Sequence, residues 1–102
     1  MKLNVLERLN LLNLLPQKED IAILRIVRDL QNSLGLTENE YKEFGVKVEN
    51  GLTSWNEKGI EEKEIPIGEM ATMICSDALK KANKEKLLTQ QYISLYDKFV
   101  KD

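Results

Sequence analysis

The 102-residue chain has no histidine, one cysteine, two prolines and five glycines. Without histidine, the usual general base and proton shuttle near neutral pH are missing, as is the commonest metal ligand. With Cys75 as the sole thiol, the chain can form neither an intramolecular disulfide nor a Cys/His zinc site. Serine triads and Cys–His nucleophile pairs are excluded in their ordinary forms. Gly35, Gly45, Gly51, Gly59 and Gly68 are scattered where turns and caps need them, so no phosphate-cradling loop is present. No aspartate-rich calcium loop appears either. No apolar stretch approaches the roughly 20 residues that span a bilayer. Asn4, Glu7 and Arg8 interrupt the run that a secretory signal starting at Lys2 would need. A cytoplasmic location is therefore expected.

The composition, 42% hydrophobic and 31% charged, is that of a folded globular chain. Its length suits a single domain over 1–102. A net charge of −2 supplies no global field for nucleic acid. Residues 37–69 hold nine acidic and four basic groups, and residues 70–102 hold six basic and four acidic.

Helix-like periodicity opens the chain. Asn4 and Glu7 form a capping-box pattern for a first helix from Val5 to about Leu14. Val5, Leu9 and Leu12 share one face with Leu6 at its flank, while Leu11, Leu14 and Leu15 fall among Glu7, Arg8 and Asn10. Pro16 ends this helix or starts the next. A second helix is predicted over about Glu19 to Leu34, with Ile23, Ile26, Val27, Leu30 and Leu34 in one stripe and Gly35 as its stop. Thr37 and Glu40 make a second capping box for a short third helix that Gly45 closes.

Asn50-Gly51 signals a two-residue type I′ hairpin spanning 46–55. That register sets Val48 opposite Thr53 and Val46 opposite Trp55, and would turn Trp55 towards the core. Residues 56–64 read as a loop. Ile65-Pro66-Ile67 reads as an edge strand beside the hairpin, confined there by Pro66. A fourth helix is predicted from about Gly68 to Ala82, with Ile67, Ala71, Ile74, Ala78 and Ala82 inward. Thr89 would cap a fifth, whose inner face is Tyr92, Leu95, Tyr96 and Phe99. The expected fold is α+β: about five helices on a small, mostly antiparallel sheet around the hairpin.

Three groups could carry function. Glu57, Glu61, Glu62, Glu64 and Glu69 cluster in sequence and could serve acid–base or magnesium chemistry if they converged, although alternating lysines favour a solvated loop. Three helices followed by a hairpin is also the order of a winged helix-turn-helix. Its reading helix would be Glu38-Asn39-Glu40-Tyr41-Lys42-Glu43-Phe44, whose acidity repels phosphate. Leu11, Leu14 and Leu15 offer a second apolar side on the first helix. Either other elements cover it, or it stays open to another protein or a second copy of the chain. Cys75, inside the fourth helix, reads as a small buried hydrophobe.

In Met1-Lys2-Leu3, Leu11-Leu12-Asn13-Leu14-Leu15-Pro16, Ile65-Pro66-Ile67-Gly68-Glu69 and Leu95-Tyr96-Asp97-Lys98-Phe99, the chain resembles small accessory proteins encoded by phages and prophages of Gram-positive bacteria. The resemblance implies a protein acting inside the bacterium by binding host or virion components. It brings no ligand or catalytic residue. The combined expectation is a non-enzymatic protein-interaction module without cofactor or metal. Its contact surface is placed at Leu11, Leu14 and Leu15, with a winged-helix regulator as the alternative.

Overall fold

Arg8 is charged yet almost wholly buried, and it fixes how the first three helices meet. The computed structural model describes residues 1–100, so the last two residues of the expected domain lie outside it. The elements in order are β1 (Lys2–Leu3), α1 (Val5–Leu14), α2 (Ile21–Leu34), α3 (Glu38–Glu43), β2 (Lys47–Glu49), β3 (Leu52–Ser54), β4 (Lys63–Glu64), α4 (Glu69–Lys84) and α5 (Ile93–Phe99). One-turn 3₁₀ helices occupy Glu57–Ile60 and Gln90–Tyr92. The class is α+β, as the sequence indicates. No described helix is long and apolar enough to cross a membrane.

α1 begins at the expected capping box: the Glu7 amide donates to Asn4 Oδ1 (2.9 Å) and the Asn4 amide to Glu7 Oε1 (3.1 Å). It ends because Leu15, preceding Pro16, is extended (ψ 138°). Its deep face differs from the one periodicity suggests. Val5 is buried as expected, but Leu11 and Leu15 enter the core, joined by the buried polar side chains Glu7, Arg8 and Asn10, while Leu6, Leu9 and Leu12 are only half-buried.

The polar residues can be buried because each finds partners on another element. Arg8 Nε donates to the Leu34 carbonyl (2.9 Å) and Nη2 to the Gly35 carbonyl (2.8 Å), capping the end of α2 with a cation. Its Nη1 and Nη2 donate to both oxygens of Glu40 (2.6 and 3.1 Å). Glu40 also accepts from the Thr37 amide (3.0 Å) in the α3 capping box. Glu7 accepts from Lys98 of α5 (2.8 Å), whose ammonium also donates to the Lys2 carbonyl (2.9 Å) and Glu62 (2.8 Å). Asn10 Nδ2 donates to the Gln91 carbonyl (3.4 Å).

The core joins Leu11 and Leu15 to Val27, Leu30 and Leu34 of α2, to Ala71, Cys75 and Leu79 of α4, and to Leu95 and Phe99 of α5. α4 buries Ala71 and Ala82 as expected but is turned slightly from its expected orientation. Cys75 and Leu79 are fully buried, whereas Ile74 and Ala78 lie on a half-exposed flank.

The hairpin forms in the expected register, Val48 opposite Thr53, with Asn50 and Gly51 at φ 52° and 77° as a type I′ turn requires. It does not lie on the helices. Val48 is 69% and Leu52 75% exposed. Its three-residue strands stand out from the surface, anchored where the Asn56 amide donates to the Phe44 carbonyl (2.7 Å) and Asn56 Nδ2 to the Glu43 carbonyl (3.0 Å). Trp55 is half-buried and covers Gly59, where an added Cβ would lie 2.4 Å from its ring.

The strand expected at Ile65–Ile67 sits earlier and pairs elsewhere. β4 joins β1 antiparallel, Lys2 opposite Glu64. The Ile65 amide donates to the Met1 carbonyl (2.8 Å), and Pro66, lacking an N–H, ends the ladder. The sheet is thus two separate strand pairs.

Arg8 hydrogen-bonded to Glu40, outweighing the opposing effect of burial, lowers the Glu40 pKa from 4.5 to about 2. A carboxylate held lower when folded than when unfolded stabilises the fold above its unfolded pKa, and that contribution is lost as pH falls. Urea unfolding should therefore show on the order of 3 kcal/mol of stability disappearing between pH 4.5 and about 2 through this group. Glu40→Gln should flatten that part of the profile. An unchanged acid slope in Glu40→Gln would contradict the pairing.

Candidate functional site: a groove between α1, α2 and α4

The most deeply buried side chains that could begin chemistry are occupied or held inert. Burial pushes the Cys75 thiol up to about 12, which leaves it protonated and unreactive at neutral pH. The carboxylates of 57–69 do not converge. Glu62 is bound by Lys98, whose hydrogen bond and charge lower its pKa, and Glu64 accepts from the N-terminal ammonium (3.2 Å). Glu57, Glu61 and Glu69 are exposed. Among the described residues no group of three or more acidic or cysteine side chains is placed to hold a metal ion.

Burial opposes the charge on Lys98, but the hydrogen bonds it donates to Glu62 and Glu7, with their charges, outweigh it and leave its pKa raised. Glu7 Oε2, the far oxygen of this cluster, is buried without a hydrogen-bond partner among the described residues. These groups tie α5 to the N-terminus and the 57–64 segment.

The winged-helix order is present as α1, α2, α3 and hairpin. Its reading helix is only six residues long. Glu38 and Glu43 are exposed on it, and Glu40 is bound to Arg8. A phosphate backbone would meet net negative charge there.

One hollow lies where the end of α1, the start of α2 and the C-terminal half of α4 meet. It measures about 370 Å³. Leu14, Pro16, Ile23, Ile74, Ala78 and Ala82 form its apolar floor, and Leu87 projects from its edge, 63% exposed. Glu19, Asp77 and Glu85 rim it, with Lys81 as the opposing charge. A second hollow, lined by Ile26, Leu30, Ile67, Met70 and Ala71, opens at the other end of the same α2–α4 seam. An apolar floor with a polar rim is the general form of a docking site.

Only one of the three leucines expected to form a contact surface reaches this groove. Leu11 is 0% and Leu15 4% exposed. Both face the core because Glu7 and Arg8, their neighbours on α1, find internal partners and draw that whole side of the helix inward. Leu14 is half-buried at the groove. Ile74, Ala78 and Leu87 lacked a distinguishing signal. The first two read as core, and Leu87 lies in a turn.

No family model, curated protein or solved structure matches the chain. The resemblance to small phage proteins gains no support from these comparisons.

Two substitutions separate groove from core. Leu11→Asp would bury a carboxylate beside lost apolar packing and should cost about 5 kcal/mol or more, enough to abolish the folded circular-dichroism spectrum. Leu14→Asp can turn its carboxylate to solvent and should keep a cooperative melt. Folded Leu11→Asp protein would show that α1 is not central.

Proposed function

We propose that the chain is a non-enzymatic interaction module, an accessory protein of phage type, that works by docking against another protein over the α1–α2–α4 groove. The observation that supports this most is the half-exposed apolar floor of Leu14, Ile23, Ile74 and Ala78. These side chains lie beside a core that is already complete with Leu11, Leu30, Cys75 and Leu79. Apolar surface beyond the needs of folding tends to mark a contact site. The state of the reactive groups points the same way: the thiol is buried and the most deeply set carboxylates bind cations within the fold.

The test is comparative capture from a lysate of a Gram-positive host. Immobilised wild-type chain should retain a protein that Leu14→Asp loses and that Leu52→Asp, on the outlying hairpin, keeps. Equal retention by wild type and Leu14→Asp would contradict the groove as the contact surface. Loss with Leu52→Asp alone would move that surface to the hairpin.

A further inference from the structure

The two hollows belong to one seam. α2 and α4 run antiparallel along it, since the start of α2 meets the C-terminal half of α4 and later residues of α2 meet residues 66–71. Ile23 and Ile74 line the first hollow, while Ile26 and Met70, one helical turn away on the same two helices, line the second, of about 510 Å³. The three isoleucines are half-buried and Met70 is exposed, so an apolar track connects the hollows. From Met70 to Glu85 it follows α4 for about 20 Å, at roughly 1.5 Å per residue.

The borders of the track are acidic. Glu19, Asp29, Glu69, Asp77 and Glu85 line the two hollows, with Lys81 as the one cation among the lining residues. All six are exposed. Five carboxylates against one ammonium set the seam at −4, whereas the whole chain carries −2, so the rest of the chain is net positive. Among the described residues, Asp29 alone of the six is ion-paired, with its exposed neighbour Arg28 (3.7 Å).

This charge selects among occupants. A second copy laid seam to seam would set −4 against −4, and a nucleic-acid backbone would meet the same repulsion. The two long walls are helices whose backbone groups are already paired, so an occupant is held through side chains. A helix laid between them meets that condition: its own backbone is satisfied internally, and one apolar stripe fits the groove.

We propose that the α2–α4 seam receives a basic amphipathic helix of about four turns from a partner protein. Its apolar stripe would lie on Ile23, Ile26, Ile74 and Met70, and its lysines or arginines beside the flanking carboxylates. The proposal rests on the reading that the chain docks through this groove, and it names the chemistry of the partner. The apolar track supplies contact, and the charges steer the encounter and reject acidic competitors.

Two synthetic amphipathic peptides of about fourteen residues test it. They share one leucine stripe, and their polar positions are all lysine in one and all glutamate in the other. Each is titrated into the full isotope-labelled chain at physiological salt and followed by NMR. The lysine peptide should move amides along α2 and α4 and bind about tenfold or more tighter than the glutamate peptide. Glu19→Lys combined with Asp77→Lys should remove that preference. Glu57→Lys combined with Glu61→Lys makes the same charge change outside the seam and should keep it.

A lysine peptide that binds no tighter than the glutamate peptide, that moves amides away from the seam, or that ignores the seam charges would each overturn the proposal. If a host protein is still captured in a Leu14-dependent way in that event, the groove stands as a docking site and the partner is not a basic helix. If that dependence is lost as well, the docking reading falls with it.

Discussion

A single guanidinium organises the N-terminal half of this fold. Arg8 is 2% exposed and spends its donors on the last carbonyls of α2 and on the carboxylate that caps α3. A buried charge is tolerable only when fully hydrogen-bonded, so these partners must sit where Arg8 can reach them. The route of the chain from α2 into α3 is constrained as a result. Glu7, one residue earlier, points to the other side of the helix and engages Lys98, which gathers the β1 backbone and Glu62. α1 thus acts as an axle, with polar spokes to α2 and α3 on one side and to α5 on the other.

This arrangement explains what could and could not be read from residue order. Local signals were legible. The Asn4–Glu7 and Thr37–Glu40 capping boxes, the Asn50–Gly51 turn and the helix-ending role of Pro16 each depend on chemistry within a few residues, and each is present. The faces of α1 were not legible. Glu7, Arg8 and Asn10 look like a solvated side until the positions of Glu40, Lys98 and Gln91 are known, all of them more than thirty residues away in sequence. The β1–β4 pair escaped because two residues per strand carry no period. The hairpin's register was legible and its placement was not, since three-residue strands with polar neighbours do not specify what they lie against. Of the candidate site, only Leu14 could be picked out. Ile74 and Ala78 have the spacing of core residues, and small rotations of α4 decide between core and rim.

The same economy bears on function. With the thiol sunk beside Leu79 and the deepest carboxylates bound to Arg8 and Lys98, ionic chemistry here serves the architecture. What is left at the surface is apolar area in an ordered setting: a hollow along the α2–α4 seam. One wall of it is a helix fixed from behind by fully buried Cys75 and Leu79. A rigid presenting element limits the ordering entropy that binding would otherwise cost.

The central claim is that Arg8 and Glu40 act as a coupled pair holding α1, α2 and α3 in place. A double-mutant cycle built from Arg8→Met, Glu40→Gln and their combination, read by urea unfolding at neutral pH, measures that coupling directly. The account predicts that each single change destabilises strongly and that the combined change costs less than their sum, by a coupling energy of about 2 kcal/mol or more. Additive effects, with coupling near zero, would contradict it.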